Sequence, residues 1–191
     1  MRADARKNYD RLLLSAREAI AEDGVNVSMR DIARRAGVGF ATLLRHFPTR
    51  ETLFEALLRT ALDELTGTAE RLEKSASPSN ALLSWLSEAV RFMGAYNGVV
   101  SMMSTALEDE NSALHVSCTN LRSAGARLLG RAQAEGMARN DIDGTDLFGL
   151  IGALGWLGEQ PSFAARTSRF FDVITTAIMT PKASGQIKQI T

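Results

Sequence analysis

Five arginines, Arg30, Arg34, Arg35, Arg45 and Arg50, fall in one short stretch of a 191-residue chain. The hydroxyls of Ser28 and Thr42 and the imidazole of His46 lie among them. Side chains of these types donate hydrogen bonds to phosphate, and a guanidinium can also grip a guanine edge through two donors. Nothing in the chain is spaced for bond-making chemistry. His46 and His115 stand 69 residues apart, Cys118 is the one cysteine, and the sequence has no nucleophile elbow, phosphate-binding glycine loop or metal-spaced histidine cluster. An enzyme built on a helical scaffold therefore finds no support, and no cofactor, structural zinc or disulfide framework is expected.

The spacing dictates how these groups are carried. Ser28 is a good N-cap, and Asp31 three residues on gives a capping-box-like start to a helix whose inner face is Met29, Ile32, Ala33 and Ala36. Gly37 ends it, at a position where the backbone can turn left-handed. A short helix over about Phe40–His46 follows, with Leu43 and Phe47 pointing inward, and Pro48 breaks it. Two short helices joined by a three-residue glycine turn form a helix-turn-helix. The second can enter a major groove about 12 Å wide, while the first crosses the backbone.

The string SMRDIARRAGVGFATLLRHFPTRETLF resembles the DNA-binding signature of the TetR/AcrR family of transcriptional regulators, over about residues 8–58. The resemblance implies an all-α fold, with an N-terminal three-helix DNA-binding domain followed by a helical ligand-binding and dimerisation domain. It also implies a homodimer that represses transcription and leaves DNA when a small molecule enters the body. Thr42 and His46 match family positions that face the DNA backbone, and Arg50 matches a basic position that holds a phosphate. Ser28 either joins them or simply caps its helix, and His46 either touches phosphate or packs locally. Leu44 departs from the pattern. The family usually has an aromatic there, most often Tyr bonded to a phosphate, and Leu can only pack or touch a sugar.

Base reading falls to Gly39, Phe40, Ala41 and Arg45. Phe40 can lie against a thymine methyl, and Arg45 either pairs with guanine or holds a phosphate. Arg30 belongs to the same candidate face; Arg34 and Arg35 read more simply as a solvated helix face.

Charge supports this division. The 22 basic residues balance 22 acidic ones, yet residues 1–50 hold 10 basic against 6 acidic, leaving +4 on the head and −4 on the rest. A basic head on an acidic body is the asymmetry of a nucleic-acid-binding module with a regulatory body.

Helical periodicity continues almost throughout. Tyr9, Leu12, Leu13, Ala16 and Ile20 stripe a first helix ending at Asp23-Gly24; Thr49 caps a long helix beginning at Arg50. Lys74–Ser79 reads as a linker, with Pro78 in the first turn of the next helix. Further helices are expected over about Val99–Leu107, Ala113–Glu135, Thr145–Leu157 and Ser162–Met179, with a break at Asn97-Gly98. Residues 1–50 then form the DNA-binding domain, 51–76 a connecting long helix, 77–180 a regulatory and dimerisation domain, and 181–191 a disordered tail. No apolar run spans a membrane and no secretory signal opens the chain, so a cytoplasmic protein is expected.

An apolar effector pocket in the body would draw on Trp85, Phe92, Met93, Tyr96, Met102, Met103, Cys118, Leu121 and Trp156, each of which also suits ordinary core. His115 and Arg122, seven residues apart, either orient an anionic group or form a surface pair. Gly149, Gly152, Gly155 and Gly158 crowd one helix, where each costs about 1 kcal/mol relative to Ala. Either a close helix-helix seam at Gly152 and Ala153 offsets that, or the glycines merely kink a buried helix. In the TetR family the last two helices form a four-helix bundle across a two-fold axis. Leu150, Ile151, Leu154, Phe170, Phe171, Ile174 and Ile178 would supply its apolar surface. Two heads about 34–36 Å apart would read a near-palindromic DNA operator.

Overall fold

The computed structural model describes residues 3–23, 27–95 and 99–180, with positions 3, 99–102 and 106 described by backbone alone. The expected cap at Gly24, the break at Asn97-Gly98 and the tail from Pro181 lie outside the described residues. Nine α-helices run α1 Ala3–Asp23, α2 Met29–Arg35, α3 Phe40–His46, α4 Arg50–Leu72, α5 Pro78–Ala95, α6 Val99–Glu108, α7 His115–Ala134, α8 Gly144–Glu159 and α9 Thr167–Ile178 among the described residues. Two compact units divide at Thr60/Ala61, so the boundary falls inside α4 and the helix is shared between them.

In the first unit α1, α2 and α3 pack on one another around Leu12, Ala16, Ile32, Ala33, Leu43 and Phe47, all buried. Local chemistry sets the helix ends. The Ser28 hydroxyl accepts from the Asp31 N–H (3.1 Å) and donates to the Asp31 carboxylate (2.6 Å). The Ser28 hydroxyl bond to the carboxylate, with Arg34, holds the Asp31 carboxyl below its ordinary range. Thr49 and Thr52 exchange backbone N–H and hydroxyl bonds at 3.2 Å to start α4. Arg35 pairs with Glu22 and Asp23 at the end of α1, tying α1 to α2.

Gly37 has φ +60°, and a Cβ there would meet Arg11 Nη2 at 2.7 Å. The arginine tip can move away, but the left-handed backbone cannot, so Gly37→Ala is expected to destabilise the first unit by about 1–2 kcal/mol. Amide hydrogen exchange of α2 and α3 checks this. Unchanged protection would mean that the turn does not depend on the left-handed glycine.

In the second unit α5, α7 and α8 pack against one another, α6 lies on α7, and α9 on α8. The end of α4 and the residues just after it are held from α7: the Arg131 guanidinium donates to the carbonyls of Leu72 (3.5 Å), Glu73 and Ser75, and Arg127 pairs with Glu73. Asp143 and Asp146 form a reciprocal capping box that starts α8 at Gly144, one residue before the expected Thr145. The expectation that the last helix begins at Ser162 needs correcting. Residues 161–163 are turn and Ala164–Arg166 a 3-10 turn, and α9 begins at Thr167. Successive i to i+3 bonds bring the Phe163 ring edge-on to Phe170, centroids 6.1 Å apart. Regular helix would place the two rings on a rigid repeat instead. The only pairing of extended backbone among the described residues is one antiparallel bridge, Ala138 to Met179, which ties the α7–α8 loop to the end of α9.

Candidate nucleic-acid interface and body cavity

The α3 helix buries Leu43 and sends its other side outward. Gly39, Ala41, Leu44 and Arg45 are exposed, while Phe40, Thr42 and His46 are half-buried. The Arg30 guanidinium sits 4.5 Å over the Phe40 ring, so α2 and α3 share a cation–π contact at this surface. Arg45 folds along its own helix, donating from Nε to the Ala41 carbonyl (3.3 Å) and from Nη2 to Thr42 Oγ1 (3.0 Å). Arg50 lies 5.1 Å over the Phe54 ring at the start of α4. The His46 ring is 6.0 Å from Tyr9 and 6.2 Å from Phe47, and the Tyr9 hydroxyl accepts from Arg59 at 3.4 Å. Ser28 is exposed and engaged in its cap, and Arg35 is engaged with α1. The structure thus brings Arg30, Phe40, Ala41, Leu44 and Arg45 to one outward surface. Tyr9, bonded to Arg59, packs on His46 and Phe47 at the end of α3, and the sequence alone assigns no site role to either. Their meeting spans 50 residues, and no local pattern announces it.

In the second unit a cavity of about 410 Å³, open on one side, lies between α5, α6 and α8. Its wall is Met93, Met103, Ser104, Leu107, Thr145, Phe148, Gly149, Gly152, Ala153 and Trp156. Of the residues offered for a pocket, Met93, Met103 and Trp156 line it. Trp85 instead fills the core, its indole N–H donating to the Leu65 carbonyl at 3.2 Å and its ring laid against Gly125. Cys118 and Leu121 are buried core residues outside the wall, and half-buried Phe92 is also outside it. Burial pushes the Cys118 thiol up to about 11, so almost no thiolate exists at neutral pH to sense an oxidant. Tyr96 and the Met102 side chain lie outside the described residues. Arg122 sits near Asp143, whose carboxyl is held low chiefly by the N–H groups of Asp146 and Thr145.

Ser104, Leu107, Thr145, Phe148 and Gly149 line the cavity although the sequence does not mark them for it, and so do Gly152 and Ala153, expected instead at a helix-helix seam. The signal existed: Thr145, Phe148, Gly149, Gly152, Ala153 and Trp156 form one helical stripe, and small residues on it leave room. A Cβ on Gly149 would meet nothing within 4 Å. The residues offered for a dimer surface divide as well. Ile151, Leu154 and Ile178 are buried within the chain, and Leu150, Phe171 and Ile174 close around the same small gap between α5, α8 and α9. Phe170 is half-buried against Phe163. Outward on α8 and α9 stand Ala153, Trp156 (51% exposed) and Val173 (60%).

Residues 12–57 match the family model described as bacterial regulatory proteins, tetR family. Residues 77–178 match that of the transcriptional regulator SbtR-like C-terminal domain. An HTH-type transcriptional regulator of Staphylococcus aureus is 39% identical over 64 residues, 33% of this chain and 35% of the relative. The chain thus matches about a third of the length of these curated relatives. A TetR transcription regulatory protein from Mycobacterium vanbaalenii is 30% identical, with TM-score 0.65 over 94% of this chain and 99% of that one. A TetR transcriptional regulator from Streptomyces coelicolor is 28% identical, with TM-score 0.69 over 91% and 99%. The fold recurs in a transcriptional regulator from Saccharomonospora viridis solved with choline, 22% identical, with TM-score 0.64 over 90% and 97%.

Proposed function

The chain belongs to the TetR family of DNA-binding transcriptional regulators, and we propose that it is a homodimeric repressor released from a palindromic operator by a small molecule. The family and fold are those of regulators and not of enzymes. One observation carries the sensing half: the second unit holds a cavity of about 410 Å³, within the ~300–1,000 Å³ of small-molecule sites. Thr42, His46, Arg50 and Ser28 position the head on phosphate, and Arg45, Phe40, Ala41 and Gly39 meet base edges. Ala153, Trp156 and Val173 extend the apolar surface of α8 and α9 toward a second copy. No described helix is long and apolar enough to cross a membrane, and the regulator is proposed to work in the cytoplasm.

The effector acts by favouring one body conformation over another, and α4, shared by both units, carries the difference to the head. Coupling of the usual allosteric size, about 1–3 kcal/mol, weakens operator binding about 5- to 150-fold. The test is to select bound DNA from a random pool with the full-length protein, then screen small molecules for release. The variant Gly149→Leu, which narrows the cavity, is expected to keep operator affinity and weaken the response. Release that survives Gly149→Leu unchanged would place the effector elsewhere. A protein that no compound releases would be a constitutive DNA binder, the alternative that a helix-turn-helix head also permits.

A further inference from the structure

The outward side of α3 carries one cation and three apolar groups. Ala41 and Arg45 are exposed, Leu44 is 38% exposed, and Phe40 is half-buried beneath the Arg30 guanidinium. A lone exposed leucine needs no explanation. Leu44, however, stands one turn beyond Phe40 and Ala41 on the same side of the helix, beside Arg45. The inner side is already filled by Leu43 and Phe47, both buried, so more than a third of Leu44 remains outside the packing of the head. The groups that base edges present in the major groove are mostly hydrogen-bond donors and acceptors, and the largest apolar one is the 5-methyl of thymine. Polar edges facing Phe40, Ala41 and Leu44 would lose water and gain no partner.

We infer, on the reading of α3 as the helix that enters the major groove, that Phe40, Ala41 and Leu44 form an apolar surface for thymine methyls and that Leu44 is a specificity-determining residue. Four residues of α3 rise ~6 Å, less than two base-pair steps of ~3.4 Å. The half-site therefore places two thymines, on either strand, within three consecutive base pairs, beside the base that Arg45 reads. Arg30 covers one face of the Phe40 ring and limits the directions the ring can take.

The test starts from sites selected by the full-length protein. The consensus is remade with uracil for the thymines of the half-site, which deletes each methyl and keeps the pairing. The wild type is expected to bind about three- to fivefold more weakly for each contacted methyl removed. In Leu44→Ala the thymine-to-uracil ratio at one position falls close to one, and Leu44→Met restores it. Uracil substitution needs no variant, so the wild-type measurement stands even if a variant folds poorly. Selected half-sites without thymine in that window overturn the inference, as does a Leu44→Ala protein with the full ratio, which would place Leu44 on sugar or phosphate. Selection of no site at all overturns the operator reading itself, which separates the two failures.

Discussion

Arg45→Ala is expected to weaken binding to the selected operator by about 1–3 kcal/mol, roughly 5- to 150-fold, while random DNA of the same length is held almost as before. In the free protein the Arg45 guanidinium rests on the Ala41 carbonyl and the Thr42 hydroxyl. Both bonds are exposed, and solvent-accessible hydrogen bonds are exchanged for water at little net cost. The side chain can therefore leave its own helix when a guanine offers two acceptors in the right geometry. A phosphate contact has a different signature: operator and random DNA lose affinity alike, and the slope of log K against log salt falls by about 0.9. Fluorescence anisotropy on both DNAs at several salt concentrations separates the two. Equal loss with a reduced slope would remove Arg45 from base reading.

Trp85→Ala is expected to cost about 3–5 kcal/mol of stability, a large part of the ~5–15 kcal/mol that holds a typical domain. Trp85 is 1% exposed, its N–H is bonded to the Leu65 carbonyl, and its ring lies where Gly125 has no side chain. A Cβ on Gly125 would stand 2.5 Å from Cη2 and 2.8 Å from Cζ3 of the ring, and an aromatic ring fixed on both sides cannot yield. Gly125→Ala should therefore destabilise the wild type by about 1–3 kcal/mol through overpacking. In the Trp85→Ala background the same substitution should reverse sign. With the ring gone, only the helix preference of Ala over Gly remains, worth about 1 kcal/mol. Urea unfolding followed by circular dichroism on the four proteins measures the coupling. Additive effects would mean that the ring and Gly125 do not constrain each other.

Helix existence was legible because its causes are local. The Ser28 and Thr49 caps, the Pro78 start and the Gly37 turn each act within three or four residues, so α2, α3, α4 and α5 begin where their own sequence puts them. The same holds for the outward residues of α3, since burial of Leu43 and Phe47 orients the rest of a seven-residue helix. Boundaries were less legible where two local signals compete. Residues 161–166 carry helix-compatible side chains, yet 3-10 hydrogen bonding and the Phe163–Phe170 ring contact delay α9 to Thr167.

Periodicity and capping are properties of neighbouring residues, so the helical elements and the composition of the head follow from local sequence. Which apolar residues of the body are core and which line space depends instead on contacts between distant parts of the chain. Trp85, Met93, Cys118, Leu121 and Trp156 are all large or soft and apolar on their helices. Trp85 is core because Gly125, 40 positions away, makes room for it. Met93 and Trp156 border a cavity because Gly149, Gly152 and Ala153 leave room there. A stripe states which way a side chain points, and what stands opposite is set by residues far away in the chain.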